Sequence, residues 1–421
     1  MIKIKKFVSI LLVFCFLLSL SSCKENINEE QQITKLSEEQ LIKIKKSERR
    51  AVWLSYYEIS DIFKLNNDEK SFEKEISKRF KELKDFGFNC VIVHCRAFSD
   101  AIYNSSIFPT AEYITGEQGG ELPFDLLCVM IKCAKTNNLK IEAWINPYRI
   151  SHSNDITKLS NKNPAKKWLT DDDNQNDNWV FTLDNGLYYN PAIKEVQKLI
   201  VDGIKEIVEN YDVDGIHFDD YFYPTILPEI DSAEYGNYAE NGGDLPLAEW
   251  RCNNVNNMIR SAYSAIKKTN KNLILGISPS ASINENFNQK YADIKLWVTE
   301  NGYIDYICPQ IYFGFNNEVM PFVSTVKSWQ SIMKNSNVKL YFGLGLYKSG
   351  QIDEFADLTD GSDNQSPKYE FVNNKNIISR QINYLRQTVR YNGFFIYSYS
   401  YLFSNNENIK SEIELIKSIV N

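Results

Sequence analysis

From residue 49 onward, short runs rich in β-branched and aromatic residues alternate with longer stretches whose apolar residues return every three to four positions. The short runs read as strands at 51–57, 89–95, 140–145, 213–218, 273–277, 303–308, 338–343 and 393–397. A helical stretch follows each, at about 69–86, 123–137, 191–210, 246–269, 287–301, 319–334, 374–391 and 406–420. In the third of these Ile193, Val196, Ile200, Ile204 and Ile207 share one face, and the first stops at Phe86-Gly87. Strand–helix alternation repeated eight times predicts an α/β protein with a parallel sheet, and eight units predict closure into a (β/α)8 TIM barrel. An open doubly wound sheet is the other solution. It calls for a glycine-rich phosphate loop after the first strand, where Tyr56-Tyr57-Glu58 stands instead.

The connections are asymmetric. Four long ones, at 96–122, 146–190, 219–245 and 344–373, all follow strands, whereas those that follow helices are short. In a barrel the βα loops gather on the carboxyl-terminal face, so this pattern predicts a deep, loop-walled cleft there.

Composition narrows the class. With 421 residues, 43% hydrophobic and 13% aromatic, the chain can bury one large core and is not disordered. Its formal charge of −7, with no Lys/Arg cluster past the first residues except 43–50, argues against nucleic acid as a partner. The amino terminus reads as a lipoprotein signal over 1–22: Lys3, Lys5 and Lys6, an apolar run over 7–18, then Leu20-Ser21-Ser22-Cys23. The run is too short to span a bilayer. Cys23 is the expected lipidation site, which anchors the protein to a membrane in the cell envelope outside the cytoplasm. Loss of the three lysines with the signal takes the charge from −7 to −10. Residues 23–48 read as a polar tether, with a short helix near 36–46 that either stands free or packs on the domain. The barrel occupies 49–421. Cys90, Cys95, Cys128, Cys133, Cys252 and Cys308 remain. No CxxC occurs, and they serve as small hydrophobes or pair as disulfides.

Polar residues concentrate at the strand ends. Glu58 follows strand one; His94, Arg96 and Asp100 come with strand two; Glu142, Asn146, Tyr148 and Arg149 with strand three. Strand four brings Asp214, His217, Asp219 and Asp220, strand five ends in Ser278-Pro279-Ser280, and strand six brings Asp305, Gln310 and Tyr312. Strand eight ends in Tyr397-Ser398-Tyr399. Carboxylates at the ends of apolar strands are costly unless paired. Ion pairs inside the barrel, for example Arg96 or Arg149 with Asp219, explain single residues; the whole set predicts a functional cleft. Interleaved aromatics (Tyr148, Tyr221, Tyr223, Tyr312, Phe313, Tyr399) suit the C–H faces of sugar rings.

The segments RAVWLSYY, NCVIVHCRAFSDAIY, TGEQGG, IEAWINPYR, VDGIHFDDYFYP, GISPS, ICPQIYF and FFIYSYSYL resemble the glycosyl-hydrolase-like 10 family, over about residues 50–402. That resemblance implies an exported or lipid-anchored barrel and glycoside hydrolase activity, with peptidoglycan glycan strands as the leading substrate. Two familiar catalytic patterns fail. On the DGxDxDxE block of family 18 chitinases, Tyr221 takes the place of the glutamate and His217 that of an aspartate. A glutamate at the ends of strands four and seven is also missing, since strand seven ends Gly343-Leu344-Gly345-Leu346-Tyr347. Glycoside hydrolysis still needs two carboxyls across one bond, one of them protonated. Asp219 or Asp220 is the expected nucleophile or base, with Glu142, then Asp305 or Glu112, as acid. Arg96, Asp100, Asn146, Tyr148, Arg149, His217, Asp305, Gln310 and Tyr312 are the expected substrate-binding and carboxyl-orienting set. No cofactor is called for, and a monomer is expected. Rival readings are a metal hydrolase using His94, His217, Asp219 and Asp220, a cation in the acidic loop 171–177, a polysaccharide-scavenging glycosidase, and a non-catalytic sugar-binding barrel.

Overall fold

The computed structural model describes residues 36–358 and 366–420; the signal segment, Cys23 and residues 24–35 of the expected tether lie outside them. Eight parallel strands close into a barrel: β1 (Arg49–Leu54), β2 (Cys90–Arg96), β3 (Lys140–Ile145), β7 (Gly215–Phe218), β8 (Ile274–Ile277), β9 (Tyr306–Ile307), β10 (Lys339–Gly345) and β11 (Gly393–Tyr397). β1 pairs with both β2 and β11, which completes the ring. Outward residues such as Val52, Val91, Val93, Ile141 and Ala143 join the helices in one core, and inward Ala51, Trp53, Cys90, Ile92, Trp144, Tyr306 and Phe395 fill the lumen. That split is the period-two alternation of a strand. At Gly276 of β8 an added Cβ would fall 1.8 Å from the Tyr306 ring, so the glycine leaves room for this lumen side chain.

The helices answer to apolar stripes. Helix Lys194–Asn210 buries Val196, Ile200, Ile204 and Ile207. Helix Glu69–Phe86 is capped by Asp68 and ends on Gly87 at φ 108°. Differences from expectation are local. The first strand stops at Leu54, because Ser55 caps a helix over Tyr56–Leu65 through a reciprocal bond with Glu58. The stretch 287–301 is not one helix: Ile283–Asn288 and Ile294–Trp297 flank a turn with Tyr291 at φ 50°. The connection 146–190 carries its own antiparallel sheet of β4 (Arg149–Ser151), β5 (Val180–Leu183) and β6 (Gly186–Tyr189), in the order β4-β6-β5.

Ahead of β1, helix Glu38–Ser47 buries none of its residues. It meets the barrel at Glu48, 2% exposed, whose carboxylate accepts hydrogen bonds from Arg386 and from Tyr391 Oη. The six cysteines among the described residues are free thiols, and all but Cys128 are buried.

Candidate active site

At the carboxyl end of the strands the lumen opens into a cavity of about 460 Å³. Trp53, His94, Trp144 and His217 reach its floor from β1, β2, β3 and β7. Asp219 and Asp220 follow β7 directly, where the chain leaves the sheet and turns both side chains to the cavity. Tyr221, Gln310, Tyr312 and Tyr397 complete the wall with Arg149.

Asp219 is 5% exposed. Its Oδ2 accepts hydrogen bonds from Trp144 Nε1 at 3.0 Å and Asn146 Nδ2 at 3.4 Å, and its Oδ1 from the Tyr221 amide at 3.3 Å. Burial, and then the charge of Asp220, outweigh these donors and push its carboxyl up to about 7. Burial also raises Asp220, against the pull of Lys290; Gln310 Nε2 donates to its Oδ1 at 3.4 Å. Two adjacent carboxyls, both raised chiefly by burial, thus share one cleft.

His217 has a single tautomer. Trp53 Nε1–H donates to its Nε2 at 3.1 Å, so the neutral ring carries its proton on Nδ1, facing Tyr306 Oη at 2.7 Å. Tyr306 Oη in turn donates to Glu142 Oε2 at 2.6 Å, and Arg49 Nη1 to Glu142 Oε1 at 2.6 Å. Burial holds the imidazole down to about 3, so it stays neutral.

This chain corrects the expectation for Glu142. Its side chain is fully buried in the lumen, takes Arg49 as its counter-ion from the amino end of β1, and does not line the cleft. Asp305 also leaves the set. It precedes β9, so it lies on the opposite face, where Oδ2 accepts from the Leu275 amide and Oδ1 pairs with Lys267 at 2.7 Å. Arg96 follows a register shift in β2 and packs outward over the Phe108 ring at 4.3 Å, against Gly203 of helix Lys194–Asn210. Tyr148 is wholly buried away from the cavity, and its carbonyl accepts from Tyr189 of β6. Asn146 stands behind Asp219 as an orienting donor. Asp100 and Glu112 line an adjoining lobe. The structure therefore brings together Asp219, Asp220, Arg149, His217, Gln310 and Tyr312.

Three contributors were not in the expected binding set. Trp53 and Trp144 hold His217 and Asp219 through their indole N–H groups. His94 stacks on Trp144 with ring centroids 3.7 Å apart, and both its ring nitrogens are buried without a partner. Inward alternation with Glu142 marked Trp144; nothing local marked Trp53. Arg149 lies over the rings of Phe98 and Tyr221, at 4.6 and 4.9 Å, with its charge at the cleft wall. Among the described residues no three His, Cys, Asp or Glu side chains form a metal-holding group, around His217 or in loop 171–177.

A closed (β/α)8 barrel with a carboxylate pair and aromatic walls at its carboxyl-terminal mouth has the architecture of the barrel glycoside hydrolases. The chain belongs to the family described as glycosyl hydrolase-like 10, which matches residues 48–357. It is 35% identical over 321 residues to glycosyl hydrolase YngK of Bacillus subtilis (strain 168), covering 72% of this chain and 61% of that protein. It is 29% identical over 294 residues to glycosyl hydrolase DigH of Escherichia coli (strain K12), covering 65% of each. The chain thus spans somewhat less than two thirds of the length of these relatives. Solved structures share the fold: the PgaB (BpsB) glycoside hydrolase domain from Bordetella bronchiseptica (TM-score 0.55, 12% identity, 88% of this chain and 98% of that one) and the catalytic domain of a beta-amylase from Paenibacillus polymyxa (TM-score 0.52, 13% identity, 89% and 98%).

Proposed function

We propose that this protein is a lipid-anchored glycoside hydrolase of the cell envelope that cuts peptidoglycan glycan strands with Asp219 and Asp220. The observation that carries the reading is Asp219: a buried carboxyl on the cleft floor, beside a second carboxyl, pushed up to about 7. In this account Asp219 is the group that gives and takes a proton, and Asp220, nearer solvent and with Lys290 offsetting part of the effect of burial, is the partner carboxyl. Trp144 and Asn146 orient Asp219, Gln310 orients Asp220, and Arg149 and Tyr312 meet the sugar. Family membership and the signal-like segment ending at Cys23 support an exported glycan as substrate.

The test is a digest of intact peptidoglycan, of peptide-free glycan strands and of neutral polysaccharides, with products read by mass spectrometry. Sugar fragments released from peptidoglycan are the expected result. Release from neutral polysaccharides alone contradicts the substrate and makes this a scavenging enzyme; binding without release makes it a sugar-binding protein. For the anchor, Cys23→Ala is expected to move the protein from the membrane to the soluble fraction.

A further inference from the structure

The cleft does not end at the two aspartates. On one side a lobe of about 770 Å³ joins it through Tyr56, Tyr57 and Arg149, between helix Tyr56–Leu65 and the connection after β2. On the other, a lobe of about 380 Å³ joins it through Gln310, Tyr312 and Tyr347, in the connections after β8, β9 and β10. Around the closed ring, β2 and β9 stand four places apart, and β7 stands midway between them. The two lobes therefore face each other across the barrel mouth, with the β7 carboxyls between.

A site that receives a chain end needs a wall on one side. Here each flank opens into a space within the roughly 300–1,000 Å³ that holds a small ligand. The larger lobe is also equipped to hold one. Phe98, Tyr113 and His152 give it ring surfaces. Asp100 and Gln118 line it, with Gln118 Nε2 donating to Asp100 Oδ2 at 3.2 Å. Glu112 and Lys64 add further polar side chains on its wall, suited to the hydroxyl and amide groups of a sugar.

We propose that these three spaces form one groove for a glycan chain, with sugar subsites on both sides of Asp219 and Asp220, so that cleavage falls at internal bonds. This rests on the glycosidase reading above and adds the mode of action to it.

The experiment uses the full-length protein and long, peptide-free glycan strands labelled at one end, sampled early in the digest. Labelled fragments of many intermediate lengths are expected. A single short product from the first time point overturns the groove and leaves the glycosidase reading intact, whereas no cleavage of any glycan overturns both. A lobe variant adds a second reading. His152 is an exposed wall residue of the larger lobe that does not line the central cavity. His152→Ala should cut the ratio of kcat/KM for long over short chains by roughly threefold, about the loss of one ring contact. An unchanged ratio contradicts a subsite there.

Discussion

What surrounds a carboxyl decides its role, and Asp219 and Glu142 differ in their surroundings. Both are buried. Glu142 has Arg49 and Tyr306 as partners and is satisfied inside the lumen. Asp219 has three hydrogen-bond donors, no cation within salt-bridge distance among the described residues, and Asp220 beside it. The sign of its effect on stability follows. Below about pH 4 the group is protonated in both folded and unfolded chains and contributes nothing. As pH rises from there, the unfolded chain releases the proton while the folded one holds it until about 7, so stability falls through that window. The full shift corresponds to roughly 4 kcal/mol at most, at about 1.4 kcal/mol per unit. Asp219→Asn removes this cost. Its Tm relative to the parent protein should rise between pH 5 and pH 8, read by thermal melts across that range; a constant difference contradicts the assignment.

At the scale of elements, close approach explains a choice that propensity does not. Gly203 sits inside helix Lys194–Asn210, where alanine is ordinarily better by about 1 kcal/mol. An added Cβ would lie 2.3 Å from Arg96 Nη1 and 2.6 Å from the Phe108 ring. Gly203→Ala is therefore expected to destabilise, by roughly 1–3 kcal/mol in denaturant melts, through overpacking between this helix and β2. Stabilisation would mean that Arg96 moves freely. The same elements show what was legible beforehand. Period-two strands and amphipathic helices revealed all eight barrel units, because burial imposes both patterns. Helix Tyr56–Leu65 escaped, although Ser55 and Glu58 have the capping-box spacing, because its aromatic first turn continues the strand composition. Glu142 and Asp305 were misplaced for a different reason. Both stand in the amino-terminal half of the expected strands, away from the cleft face, and the partners that satisfy them, Arg49 and Lys267, are far away in the chain. Asp219 and Asp220 reach the cleft because they lie just past the end of an apolar strand.

For the whole molecule, the barrel gathers side chains from distant segments at one mouth: Trp53, His94, Trp144, His217, Asp219 and Gln310 span more than half the chain. The long connections then shape that mouth into a cleft with flanking lobes. The lumen chain from Arg49 to His217 ties the barrel's amino end to the cleft floor, where burial, and then the charge of Arg49, keep His217 neutral. The central claim is that the two β7 carboxyls perform hydrolysis and the lumen carboxyl does not. The most direct measurement is the rate of glycan cleavage by Asp219→Asn, Asp220→Asn and Glu142→Gln, each first shown by circular dichroism to be folded. The account predicts losses on the order of a hundredfold or more for both aspartate variants, and turnover within a few-fold of the parent protein for Glu142→Gln. Full activity in both aspartate variants, or loss only in Glu142→Gln, would contradict it.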